Sequence, residues 1–419
     1  MANNNKHTGP NVPALRFPEF SGEWSKDCLN EFLEVQPARN TQGIYSQDDV
    51  LSVSGDYGVV NQIQLLGRSF AGKDVSNYHI VRTNDIVYTK SPLKEFPYGI
   101  VKTNQGTAGI VSTLYAVYSA KSNTDPKFVE YYFSSKERTN KYFKPIVRIG
   151  AKHDMKIGNE EVLRNIVVFP SKQEQNKIQE FLRIIDERIA TQSKIIEELT
   201  TLRSALYDSM FCSPGQEMPK FRIQSFSGKW QLCQLNEICS RKSIKNKDNL
   251  YSRVLTIAAQ HGLVDQESFF KKRIASENLE SYLCLEKGDF AYNKSYSSDY
   301  PWGAVKRLSN FDKGIISPLY ICFTPKPEVV DPDYLAHYFE STKWHSGISE
   351  ISGEGARNHG LLNMSVIDYF NTCHRIPGLD EQKAIARRLN AIAHKLQTEQ
   401  EYLELLNRQK DCFLKQMFI

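Results

Sequence analysis

The sequence predicts an α+β protein in which two similar mixed α/β globules are separated by two long helices packed as an antiparallel coiled coil. Three observations carry this reading. A stretch near the N-terminus recurs 206 residues later. Matched motifs then follow in the same order along the rest of the chain. Each half closes on a heptad seam, so the whole is an internal repeat with a pseudo-twofold character.

The repeat is plainest where it begins. Residues 13–32 and 219–238 share nine of twenty positions, among them Pro13, Arg16, Phe20, Ser21, Gly22, Trp24, Leu29, Asn30 and Glu31. Average residue usage would leave about one or two by chance. Further on, Asn84-Asp85-Ile86-Val87-Tyr88 matches Gly288-Asp289-Phe290-Ala291-Tyr292. Gly109 to Tyr115 matches Gly314 to Tyr320, and Asp125-Pro126 matches Asp331-Pro332. Gly150-Ala151-Lys152 matches Gly355-Ala356-Arg357, and Pro170 with Glu174-Gln175 matches Pro377 with Glu381-Gln382. The expected organisation is a frayed tail at 1–12, a globule at 13–169, a helix at 170–212, a globule at 213–376 and a helix at 377–419.

Alternating apolar runs such as Tyr78 to Tyr88 and Ile315 to Phe323 predict strands. Each Asp-Pro pair predicts a helix start, with Asp as N-cap and Pro in the first turn. Ser171 to Glu174 has the form of a capping box. Beyond it, Ile178, Leu182, Ile185, Ile189, Gln192, Ile196, Leu199, Arg203, Leu206 and Met210 alternate spacings of four and three. The second seam is Ile385, Leu389, Ile392, Leu396, Glu399, Leu403, Leu406, Lys410, Phe413 and Met417. Polar interruptions fall at matching places, which favours two helices packed on each other over two that each cover their own globule. A helix of about 40 residues is about 60 Å long, so an antiparallel pair would act as a ruler between two contacts.

Composition excludes several classes. No apolar run approaches the roughly 20 residues of a membrane helix, and the polar N-terminus lacks the core of a signal peptide. The cysteines are scattered with no C-x-x-C pair, which predicts reduced thiols in a cytoplasmic protein and no zinc site. The net charge of +5 permits a polyanionic partner. Basic residues cluster at Lys136, Arg138, Lys141, Lys144, Arg148, Lys152 and Lys156, at Arg241, Lys242, Lys245 and Lys247, and at Lys271, Lys272 and Arg273. Clusters in both globules point to nucleic acid. Catalytic signatures are missing: there is no phosphate loop, dinucleotide fingerprint or zinc-protease motif. Asp331-Pro332-Asp333-Tyr334 resembles the motif with which amino-methyltransferases hold a flipped base. Its third residue is wrong for that, and Asp125-Pro126-Lys127-Phe128 repeats it as a plain helix start.

These residues carry a family resemblance. The chain resembles the specificity (S) subunit of a type I restriction-modification system. The features are the two F-S-G-x-W segments (Phe20 to Trp24, Phe226 to Trp230), the turns at Asp85 and Asp289, the two P-x-x-x-E-Q helices and their Met-Phe ends. The resemblance implies two target recognition domains, each reading half of a split, asymmetric sequence of double-stranded DNA. It also implies that the helices dock two modification (methyltransferase) subunits and that restriction/translocase subunits join them. This chain would bind no cofactor and catalyse nothing. S-adenosylmethionine would sit on the modification subunits, and ATP and Mg on the restriction subunit. Two alternatives remain: a methyltransferase or nuclease with an unrecognised site, and a coiled-coil protein scaffold.

DNA contact calls for cations on phosphates and for forked or amide side chains on base edges. In the first globule the candidates are Tyr88, Thr89, Lys90, Ser91, Lys102, Asn104, Gln105, Lys152 and His153. In the second they are Tyr292, Asn293, Lys294, Ser295, Arg357, Asn358 and His359. Phe20, Trp24, Phe226 and Trp230 are expected to pack in the cores.

Overall fold

The structure is a computed structural model, and it describes residues 11–93, 95–149, 155–259, 261–272, 275, 278–352 and 360–419. Two compact units emerge, Met1–Gln192 with Tyr402–Ile419, and Ser193–Glu401. The two long helices span Lys172–Met210 and Leu379–Gln416, and each contributes to both units.

In the first unit a four-stranded antiparallel sheet runs in the order Leu33–Val35, Tyr115–Ala120, Ile86–Thr89, Val101–Thr103. Side chains on a strand alternate between faces, and here both faces are covered. Ile86, Tyr88, Ala116 and Tyr118 enter a core shared with helices Pro126–Phe133 and Lys136–Phe143 and the start of the first long helix. Val87 and Val117 enter a smaller core with the hairpin Leu51–Ser54/Gly58–Asn61 and the pair His79–Val81/Gly109–Val111. Burial on both faces is why these strands read as nearly continuous apolar runs. The second unit repeats the scheme. Phe290, Tyr292, Ile321 and Phe323 face one core, while Ala291 and Cys322 face another.

Tyr78 to Tyr88 is not one strand but two, His79–Val81 and Ile86–Thr89. Between them Asn84 takes φ 72°, and the buried Asp85 carboxylate accepts hydrogen bonds from the Arg82 amide (2.7 Å) and the Ser119 hydroxyl (3.0 Å). Asp289 serves its own turn the same way, through the Glu286 amide and Thr324. Ile315 to Phe323 is likewise divided, into Lys313–Ile316 and Ile321–Pro325, by a turn in which the Tyr320 amide donates to the Ser317 carbonyl. Periodicity registered the apolar faces but not these buried turn carboxylates. Both Asp-Pro helices start as predicted: Asp125 accepts from the Phe128 amide and Asp331 from the Tyr334 amide, each at N-cap.

The shared N-terminal signature is a clasp on the long helices. Arg16 forms two hydrogen bonds to Glu174 (2.8 and 2.7 Å), the Trp24 indole donates to the same carboxylate, and Arg16 also reaches the Gly22 carbonyl. Arg222, Glu381, Trp230 and Gly228 repeat every bond. The capping box at Ser171 is therefore half formed: Ser171 accepts from the Glu174 amide, while the Glu174 side chain turns to Arg16 instead. Gln175 accepts from the Asp125 amide and donates to the Pro170 carbonyl, and Gln382 does the same for Asp331 and Pro377. The E-Q pair thus ties each long helix to the Asp-Pro helix of its unit.

Within the first unit the long helices pack antiparallel. Phe181 meets Phe413 at 4.9 Å, Asp186 pairs with Lys410 at 2.6 Å, and Arg188 donates to the Tyr402 hydroxyl. Ile178, Leu182, Ile185, Gln192, Leu406 and Met417 are buried, and Ile189, Leu403, Lys410 and Phe413 are half-buried. In the second unit Met210, Ile385, Leu389 and Leu396 are buried, and Ile196, Leu199, Arg203, Leu206, Ile392 and Glu399 are half-buried. The ends of the seams also enter the globular cores, with Ile178, Leu182 and Ile185 in one and Met210, Ile385 and Leu389 in the other. Among the described residues no helix is long and apolar enough to cross a membrane, and all eight cysteines are free.

The second unit carries a built-in acid sensitivity. His374 is fully buried; its Nε2–H donates to Thr372, whose own hydroxyl is spent on the Tyr369 carbonyl, and its Nδ1 accepts from Tyr338. Burial pushes its pKa down to about 4, and the same cause lowers His337 and His345. The unfolded chain takes up a proton near pH 6.5, which the folded chain refuses until about pH 4. Stability is therefore lost as pH falls across that window, on the order of 3 kcal/mol for His374. Hydrogen exchange at pH 7 and pH 4.5 is expected to show strands of the second unit losing protection before those of the first. Equal loss in both would contradict this.

Candidate nucleic-acid interface

The strand Ile86–Thr89 runs from a turn at Asn84 to an exposed end at Ser91, and the candidate residues divide between these ends. Lys102 and Asn104 belong to the Asn84 end. The Asn104 side chain is buried, donates to the Arg82 and Thr107 carbonyls and accepts from the Gly106 amide. Gln105 is exposed and reaches Asn84 at 3.5 Å. Lys102 lies 3.6 Å from Glu130, a carboxylate shared with Lys127. This end of the strand is thus mostly taken up by internal bonds.

At the other end, Tyr88 is buried at 1% exposure, stacked on Phe143 at 4.4 Å, with its hydroxyl on the Tyr98 carbonyl. Tyr292 is equally buried, stacked on Tyr369 at 4.7 Å and bonded to the Trp302 carbonyl. Both rings, expected as DNA contacts, are thus core anchors whose hydroxyls are bonded internally. Thr89 is also buried and accepts from the Ile100 amide. Asn293 is half-buried and caps the Ser295 amide. Trp24 and Trp230 are core residues, while Phe20 and Phe226 are only half-buried.

Lys90, Ser91, Lys294 and Ser295 emerge beyond these anchors. Lys90 Nζ donates to Asn159 Oδ1 and is half-buried, and burial pulls its pKa below the ordinary lysine value. Asn159 follows a short antiparallel pair, Arg148–Ile149 with Met155–Lys156, that flanks residues 150–154. Arg148 and Lys156 are exposed and directly opposite. Like charges so placed repel, and among the described residues neither has a carboxylate partner. In the second unit the Lys294 carbonyl accepts from the Leu362 amide, and Ser295 bridges to Leu361, just after residues 353–359. Lys152, His153, Arg357, Asn358 and His359 lie outside the described residues, as does Arg273. The fold thus brings Lys90-Ser91 to the foot of the segment that carries Lys152 and His153, and Lys294-Ser295 to the foot of the one that carries Arg357, Asn358 and His359.

Some basic residues assigned to clusters are structural. Lys136 pairs with Glu95, and Lys242 with Asp289 and Glu286. Arg241, Lys245 and Lys247 are exposed, the latter two on a cleft of about 700 Å³. The Asp331–Tyr334 segment is a helix start throughout: Tyr334 is fully buried, and Asp333 pairs with Arg307 at 2.6 Å.

Two recurring features escaped sequence reasoning. Asn40 and Asn246 are each 1% exposed and close the same loop, bonding both ways to Tyr45 and to Tyr251. Arg39 and Lys245 precede them, so R/K-N-x-x-x-x-Y at the 206-residue offset was the available signal. After that loop each unit has a hairpin and a capped helix, Gln62–Leu66 behind Asn61 and Gln266–Phe270 behind Asp265. Exposed rings and cations close or follow it: Arg68 over Phe70 after the first helix, and Phe269, Phe270, Lys271 and Lys272 at the end of the second. Sequence divergence hid this equivalence.

No family model matches the sequence, and no curated protein matches it. Solved structures do. The S subunit of a type I restriction-modification system from M. genitalium aligns with a TM-score of 0.57 at 15% identity, covering 97% of this chain and 99% of that one. A chain from a structure describing complex assembly and conformational transition of the type I R-M system aligns with a TM-score of 0.53 at 14% identity, covering 94% and 97%. The chain has the fold of these subunits over nearly its whole length.

Proposed function

We propose that this chain is the DNA-recognition subunit of a type I restriction-modification system, working in the cytoplasm. Each globule reads one half of a bipartite, asymmetric duplex target, and the paired helices space the halves. The chain directs partner methyltransferase and restriction subunits to the site and performs no chemistry itself. S-adenosylmethionine would bind the methyltransferase partner, and ATP with Mg the restriction partner. The observation that carries this is the duplicated Lys-Ser strand end, Lys90-Ser91 in one unit and Lys294-Ser295 in the other, at the foot of one divergent segment per unit. A shared scaffold with different loop residues suits two different half-sites.

The test is DNA binding by the chain with its modification partner, followed across a salt titration, together with methylation mapping in cells that express both. Affinity should fall steeply with salt. Arg148→Gln with Lys156→Gln should reduce the log–log salt slope by about two and weaken all sequences alike. An unchanged slope would remove this pair from the interface. Methyl transfer by the chain alone, without the partner, would show it to be an enzyme and end the reading.

A further inference from the structure

We propose that a basic cavity in the first unit binds a small phosphate-bearing ligand. The cavity measures about 720 Å³, within the range of small-molecule sites, and lies beside the end of the second long helix. Lys26, Arg138, Lys141 and Lys415 line it, against one acidic side chain among the described lining residues, Glu137. None of the four cations lies within ion-pair distance of a carboxylate among the described residues.

Arg138 is the central group. Its Nε donates to the Tyr132 carbonyl at 3.0 Å and its Nη1 to the Leu414 carbonyl at 2.8 Å. Its guanidinium sits against the Phe418 ring at 4.7 Å. Its Nη2 is buried without any hydrogen-bond partner. Burial pulls its pKa down to about 10, with Glu137 opposing only in part. A cation in such a place is stabilised by an oxyanion more than by water.

The second unit shows what the first one lacks. There Lys343, which matches Glu137 at the 206-residue offset, donates to Asp208 at 2.5 Å and to the Ser213 hydroxyl at 2.9 Å. Asp208 belongs to the end of the first long helix, in the run Asp208-Ser209-Met210-Phe211. The corresponding run on the second helix is Lys415-Gln416-Met417-Phe418, so the acid is replaced by a base. Both members of the Lys343–Asp208 pair are thus reversed in charge in the first unit, as Glu137 and Lys415, and among the described residues these two form no ion pair. Four cations around one acid suit a phosphomonoester, which carries about two negative charges, better than a single carboxylate. This site is independent of the DNA reading.

The experiment is thermal unfolding of the full chain in chloride, inorganic phosphate or AMP at matched ionic strength. Phosphate and AMP should raise the melting temperature saturably, and the stronger of the two identifies free anion or nucleotide as the preferred source. Lys415→Asp, which gives the cavity a second acidic side chain in place of a cation, should abolish the phosphate response. Lys26→Gln with Lys141→Gln, both exposed, should weaken the phosphate response at least tenfold in apparent Kd while leaving the chloride melting temperature unchanged. The proposal is overturned if phosphate and AMP do no more than chloride. It is equally overturned if the exposed double variant keeps the full response, or if only duplex DNA stabilises the chain.

Discussion

Replacing Glu174 with alanine is expected to cost about 3–5 kcal/mol, the range for breaking a buried ion pair from one side. That is a large part of the roughly 5–15 kcal/mol that holds a domain together. The Arg16 and Glu174 side chains are 4% and 2% exposed, so the widowed guanidinium cannot turn to water. The Trp24 indole loses its acceptor in the same step. Because the clasp fastens the first long helix to its globule, urea unfolding should show an early transition in the first unit. Arg16→Ala should cost about as much, and the double replacement well under the sum, since each single change leaves the other charge stranded. A Glu174→Ala chain with the parent's urea midpoint would show that the clasp holds nothing. Glu381 and Arg222 offer the same cycle in the second unit, where Arg222 is more exposed at 15% and the loss correspondingly smaller.

Alanine at Gly99 or Gly303 is expected to cost more than about 2 kcal/mol, because the left-handed backbone penalty and a backbone collision add. Gly99 has φ 83° and Gly303 φ 75°. A Cβ on Gly99 would lie 2.0 Å from the Thr89 carbonyl oxygen, and one on Gly303 would lie 2.1 Å from that of Asn293. Both acceptors sit at the strand ends that deliver Lys90-Ser91 and Lys294-Ser295. The consequence for recognition is local: Gly99→Ala should abolish protection of one half-site in footprinting and spare the other, and Gly303→Ala should do the reverse. If both half-sites are lost together, or neither is, the assignment of one half-site to each globule fails.

How much of this was legible follows from particular residues. Asp125, Asp331 and the seam from Ile178 to Met210 act through neighbours one to four positions away, so spacing alone exposed them. Asn40 and Asn246 were detectable only by carrying the repeat offset into a segment where little else matches. The burial of Tyr88 and Tyr292 was not legible, because each hydroxyl is spent on a carbonyl ten residues on, at Tyr98 and Trp302.

The sequence by itself determined the duplication, the heptad helices and the helix starts, because each is written in local period or in identity between copies. Only the tertiary structure decided what the conserved letters do. Arg16 lies more than 150 residues from Glu174, and nothing in either neighbourhood announces the other. It likewise decided which cations are spent on internal carboxylates, as Lys242 is on Asp289. That balance depends on distances of a few ångströms between segments remote in the chain, and Coulomb energies turn on those distances.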